Sequence, residues 1–185
     1  MKYITTYNSP LGLINITSDG EYLTGLYFDK SSDSNKFKEN YATKELKIFD
    51  ETKNWLDIYF SGKTPTITPK YKIENLTPFR KQVIDILNTI PYGKTITYKD
   101  IAKIVAKEKG IEKMSSQAVG NAVGWNPICI IIPCHRVIGT NESITGYGGG
   151  IKNKIGLLEI EKNDISSIII PKKGNKLWKD VNGAI

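Results

Sequence analysis

The stretch SSQAVGNAVGWNPICIIIPCHRVIG, residues 115–139, changes character twice, and the fold turns on how those changes are read. Residues 115–124 have the pattern of a short helix made of small side chains. Asn126-Pro127 stops it, an apolar run fills 128–132, and Pro133 leads into Cys134 and His135, the only histidine of the chain. Glycine inside a helix costs about 1 kcal/mol relative to alanine, so Gly120 and Gly124 are not explained by helix stability. Small residues let a backbone come close to something. One reading is tight packing of helix on helix. The other is a helix whose N-terminal N–H groups meet phosphate while its smooth face enters a narrow groove.

Working outward, TYKDIAKIVAKEKG (97–110) has Thr97 as N-cap, Asp100 three residues on, and Gly110 as its stop, which predicts a helix just before the small-residue one. Two short helices joined by a turn resemble a helix-turn-helix. TPFRKQVIDILNTI (77–90) predicts a further helix capped by Thr77, with Pro78 in its first turn. The first thirty residues alternate apolar with polar and read as three short antiparallel strands with turns at Asn8-Ser9-Pro10 and Asp19-Gly20. Residues 43–60 carry Leu46, Phe49, Trp55, Leu56 and Tyr59 at helical spacing, and 63–78, with three prolines, read as a linker. Beyond the Cys-His pair, 145–154 is a glycine loop, 152–163 a last helix and 165–173 a strand.

The net charge of +7 is unevenly spread. Residues 1–76 hold 10 lysines and 10 acids, whereas 77–185 hold 16 basic residues against 9 acids, so all of the excess lies in the later part. That asymmetry suggests a polyanionic partner such as nucleic acid, with a solvated lysine surface as the plainer alternative. Arg80 and Arg136 are the only arginines, so bidentate reading of guanine edges cannot be widespread. The apolar runs are far shorter than the ~20 residues a bilayer requires. The opening MKYITTYNSPLG has no apolar signal core, and the expectation is a cytoplasmic protein whose thiols stay reduced, with no Cys129–Cys134 disulfide.

A cysteine attacks as its thiolate, and an unperturbed thiol, with a pKa near ~8.5, is mostly protonated at neutral pH. His135 is the one imidazole that can take that proton, provided a turn after Pro133 brings both side chains to one pocket. A carboxylate would orient the ring, and Glu159 and Glu161 are the candidates. Two cysteines and one histidine fall short of the about four ligands of a zinc site, so no metal is expected. The bland alternative is a small buried thiol beside a core histidine.

IPCHRVIG (132–139), preceded by the small-residue helix and Asn-Pro and followed by GYGGG (146–150), resembles the O6-alkylguanine-DNA alkyltransferases. The resemblance covers about Thr77 to Lys162, and the strands, helix and linker before it look like the N-terminal domain of that family. It implies an α/β (α+β) chain: residues 1–73 a ribonuclease H-like domain of a small antiparallel sheet with a helix, plus linker, and 74–185 a mostly helical, winged-helix-like helix-turn-helix domain carrying the site. Cys134 would accept the alkyl group once and irreversibly, His135 would act as base through a water, Glu161 would orient it, Tyr98 would assist departure of the guanine, and Asn126 would brace the turn. Ser115, Ser116, Gln117, Ala118 and Gly120 would enter the minor groove, with Gln117 standing where the family commonly has arginine. Arg136, Val137, Tyr147 and Gly148 would lie on the base-binding side. Cys129 would be a bystander.

The implied partner is double-stranded DNA containing O6-alkylguanine, engaged by a monomer that joins the nucleoid when bound, with no cofactor. Alkyl size and alkylated thymine stay open. The rivals are a lesion-binding or regulatory protein without catalysis, and a thiol hydrolase.

Overall fold

The computed structural model describes residues 1–37, 40–144, 146–166 and 169. The chain divides into two compact units: Met1–Asn75 with Pro127–Ile131, and Leu76–Asn126 with the residues from Ile132 onward. A single cut at residue 73/74 omits the return of 127–131 to the first unit, which no local pattern announces.

In the first unit, β1 (Lys2–Ser9), β2 (Gly12–Ser18) and β3 (Leu23–Phe28) form the expected antiparallel meander. A two-residue β4 (Tyr41–Ala42) adds a parallel edge to β1, giving the order β3-β2-β1-β4. Two residues show no periodicity, so this strand is invisible in the sequence. Ile14, Ile16, Leu23 and Leu26 are buried, and α1 (Lys47–Phe60) buries Phe49, Trp55, Leu56 and Tyr59. The helix starts four residues later than its apolar spacing suggests because Leu46 is extended (φ −137°, ψ 137°).

The outer edge of β3 is covered by two distant segments. Leu23 exchanges backbone bonds with Lys70 (3.0 Å) and Lys72 (2.9 Å), so the expected linker is partly strand-like. The Leu26 N–H donates to Pro127 O (2.9 Å) and the Cys129 N–H donates to Leu26 O (2.8 Å). Both use backbone groups that an exposed edge would leave open to another chain. Cys129 is buried and donates its thiol to Asp33 at 3.3 Å.

In the second unit, α2 (Pro78–Asn88), α3 (Tyr98–Lys109) and α4 (Ser116–Gly124) carry the caps read from sequence. The N–H groups of Arg80, Asp100 and Ala118 donate to the hydroxyls of Thr77, Thr97 and Ser115. Gly110 sits at φ +62°, the left-handed ending that glycine favours. A short parallel pair, β5 (Ile96–Thr97) with β6 (Val137–Ile138), ties the start of α3 to the chain just after Cys134. α5 (Ile151–Ile160) closes the unit. The strand expected over 165–173 lies mostly outside the described residues; Ile169 bridges Ser143.

Gly93, between α2 and β5, has φ +71°, and a Cβ there would lie 2.8 Å from the Glu161 carbonyl oxygen. Backbone on backbone has little room to yield. Gly93→Ala is expected to lower stability by about 1–3 kcal/mol, read as a lower urea midpoint with an unchanged slope.

Candidate active site

Two tight turns deliver Cys134. Ile131 N–H donates to Cys129 O (2.8 Å) around Ile130, whose φ of +69° is rare for a β-branched residue. Cys134 N–H then donates to Ile132 O (2.8 Å) around Pro133. The chain continues as a short 3-10 turn, Cys134–Arg136, so residues adjacent in sequence project in different directions from one small element. Cys134 keeps 5% of its surface exposed and His135 none.

Asn126, the residue after the α4 cap, is buried, and its Nδ2 donates to both Ile132 O (3.0 Å) and Cys134 Sγ (3.1 Å). The first bond needs a donor, which fixes the orientation of the amide and leaves its second hydrogen for the sulfur. A donor aimed at sulfur favours the thiolate.

His135 Nε2 lies 2.7 Å from Glu161 Oε1. Burial alone would raise the Glu161 pKa, but the hydrogen bond and charge of His135 and the guanidinium of Arg136 hold it at about 2. A carboxylate can only accept, so the ring must carry its proton on Nε2 and its basic lone pair on Nδ1. Burial is the largest influence on His135 and lowers its pKa, opposed by Glu161 and aided by Arg136 and Lys154. The imidazole is therefore neutral at pH 7 and able to accept a proton.

Arg136, expected on the base-binding side, is turned to Glu161 and Ile90. Its Nε and Nη2 donate to Glu161 Oε2 (2.8 Å) and Oε1 (2.9 Å), and its Nη1 donates to Ile90 O (2.6 Å). All three nitrogens are engaged inside the protein. Gly93 N–H adds a fourth bond to the carboxylate at 3.2 Å.

Lys154, on α5, escapes the sequence reading. It is fully buried, and its Nζ donates to Val137 O at 2.6 Å and lies 5.9 Å from the Tyr98 ring centre. Burial drops its pKa to about 8, while attraction to the Cys134 charge holds it up. A charge in an otherwise apolar stripe, seven residues before Glu161 and so on the same helix face, is the signal that could have found it.

A cleft of about 520 Å³ is lined by Tyr98, Lys99, Ser116, Gln117, Gly120, Asn121, Gly139, Thr140 and Gly146. It gathers Tyr98 and three of the five small-helix residues singled out above; Ser115 is the exposed cap, and Ala118 shares the first turns of α4. Val137 is buried, with its carbonyl bonded to Lys154. Tyr147 packs against Ile144, Ile151 and Leu158, which places its ring on the core, and Gly148 lies in the turn ahead of α5.

The Lys154 proton has a stability signature. The folded state binds it less tightly than the unfolded chain, so between about pH 8 and 10.5 the unfolded state holds more protons and stability rises with pH. Relative to Lys154→Met, the wild type should gain up to about 3 kcal/mol across that window, measured by urea unfolding at several pH values. Parallel curves for the two proteins would contradict the assignment.

Comparison with known proteins shows the family. Residues 78–163 match the DNA binding domain of 6-O-methylguanine DNA methyltransferase, and residues 2–70 match its ribonuclease-like domain. A methylated-DNA–protein-cysteine methyltransferase of Haemophilus influenzae is 36% identical over 160 residues, 86% of each chain. One of Methanosarcina acetivorans is 38% identical over 159 residues, 86% of this chain and 97% of that one. The crystal structure of Mycobacterium tuberculosis OGT in complex with DNA superposes with a TM-score of 0.74 at 35% identity, covering 86% of this chain and 92% of that one. No helix among the described residues is long and apolar enough to cross a membrane. With both domain models matched and such identity over most of its length, the chain belongs to the 6-O-methylguanine DNA methyltransferase family.

Proposed function

We propose that this protein repairs DNA directly, moving an alkyl group from O6 of guanine in a duplex onto its own Cys134. The observation that carries the reading is the buried chain of contacts from Asn126 to the Cys134 sulfur beside a neutral His135 fixed by Glu161. His135 Nδ1 takes the thiol proton, directly or through a water. The thiolate attacks the alkyl carbon, a C–S bond forms, the C–O bond breaks, and its electron pair leaves on guanine. The proton held by His135 restores neutrality when it reaches the departing base, and the Tyr98 hydroxyl supports that base by hydrogen bonding. Thioethers leave poorly, so each molecule reacts once.

The target atom faces inward in a duplex, and rotating the nucleotide out costs a few kcal/mol. The small-residue face of α4, entering the minor groove, supplies binding energy for that step, and Gln117 fills the gap left by the base. Lys99 on the cleft wall offers charge to a phosphate. We read the protein as a monomer acting in the cytoplasm on nucleoid DNA. A non-catalytic lesion binder would have no use for the Asn126–Cys134 contact.

Incubation with O6-methylguanine duplex is expected to add one methyl to the peptide containing Cys134, read by mass spectrometry, and none to Cys134→Ala. An unmodified peptide from folded protein would exclude the transfer, and continued product release beyond one equivalent would point to a hydrolase. Gln117→Arg should speed transfer from the duplex severalfold and leave reaction with the free base unchanged, because arginine adds charge at the flipping position; an equal or slower duplex rate would show glutamine to be sufficient.

A further inference from the structure

Arg136 stands next to the reactive residues yet touches neither sulfur nor cleft. What it touches is the group behind the base. Glu161 Oε1 accepts from both His135 Nε2 (2.7 Å) and Arg136 Nη2 (2.9 Å), and Oε2 accepts from Arg136 Nε (2.8 Å) and Gly93 N (3.2 Å). The remaining terminal nitrogen is anchored on Ile90 O at 2.6 Å. The Tyr92 hydroxyl donates to Ile160 O at 3.0 Å, and its ring lies 5.8 Å from the guanidinium. The 90–93 loop thus grips both the arginine and the end of α5.

We propose that Arg136 is a positioning residue: by holding Glu161 in a bidentate pair it keeps the carboxylate from drawing a second proton onto His135, so the sole imidazole rests neutral with its basic lone pair on Nδ1. The electrostatics demand such a device. A buried carboxylate 2.7 Å from an imidazole stabilises the imidazolium, and an imidazolium cannot take the thiol proton. A fixed positive charge on the far side of the same carboxylate offsets that pull. The charged or titratable groups that bear on His135 are Glu161, Arg136 and Lys154, with Cys134 adjacent in the turn. Lys154 acts in the same sense as Arg136, but it is bonded to Val137 O, whereas Arg136 also fixes where the carboxylate points. Lysine could replace the charge of Arg136 but not its fork.

The chain has one histidine, so its ring resonances in an NMR titration are unambiguous and report on Arg136 whether or not the alkyl-transfer reading holds. In Arg136→Met the His135 midpoint should rise by about one pH unit, while in Arg136→Lys it should stay within a few tenths of the wild type. The kinetic arm rests on the proposed transfer. The rate of single methyl transfer from O6-methylguanine duplex should fall roughly three- to fivefold more at pH 6 than at pH 8.5 in the methionine variant, because only the neutral ring serves as base. A midpoint unmoved in folded Arg136→Met, or a loss of rate uniform across pH, would overturn the proposal. If the methionine variant does not fold, Arg136→Lys decides: a shift of its midpoint as large as one unit would show that charge on this side does not govern the ring. If the wild type transfers nothing at any pH, the functional reading fails while the titration still tests Arg136.

Discussion

The site depends on one carboxylate. Both oxygens of Glu161 are committed, to an imidazole, a guanidinium fork and a backbone N–H, and none of the three donors comes from α5 itself. It sits at the end of α5, where the 3-10 turn after Pro133 and the loop after α2 both reach it. Two segments far apart in sequence, the 3-10 turn and the loop after α2, are held against the end of α5 because each supplies a donor that this anion satisfies inside a water-poor interior. An unpaired buried charge would cost several kcal/mol, so loosening any of these segments exposes the others to that cost.

The charges around the thiol are better explained by the proposed reactivity than by stability. Buried ions are expensive, and well-packed apolar side chains could often replace them without loss of stability. Here Glu161 and Arg136 form one internally balanced pair, and Lys154 is a second buried cation, one that favours negative charge on the Cys134 sulfur. Asn126 contributes a neutral donor to the same sulfur. Lowering the cost of a negative sulfur in this way fits a centre that reacts once, where what counts is a nucleophile prepared before the substrate arrives.

Backbone placement adds to the preparation. The segment before the reactive turn is fixed as an added strand on β3, and its end is bent by a left-handed Ile130 and then by Pro133. Strained turns persist only where surroundings over-determine them. Within the second unit, the Asn126 amide on Ile132 O braces the turn at Pro133 that leads into Cys134.

Much of this was legible in the chain alone. Helix caps at Thr77, Thr97 and Ser115, the three-strand meander and the Cys-His turn follow from local chemistry, since capping hydroxyls, alternating side chains and proline act within a few residues. Asn126 was named through a resemblance that covers most of the second unit, which also chose Glu161 over Glu159 as the carboxylate beside His135. What the sequence could not disclose was direction and long-range pairing. The resemblance puts Arg136 on the base-binding side, and only the 3-10 turn, rotating each residue to a new side, points it at Glu161 and Ile90. Lys154 looks like one more solvated lysine until α5 is packed and its face with Glu161 is turned inward. The two-residue β4 and the return of 127–129 to the edge of β3 leave no periodic trace, because a strand that short takes its pairing from its neighbours. Residue type and spacing decided which chemistry the chain carries; tertiary packing decided which charges face one another, because burial alone makes those few contacts strong.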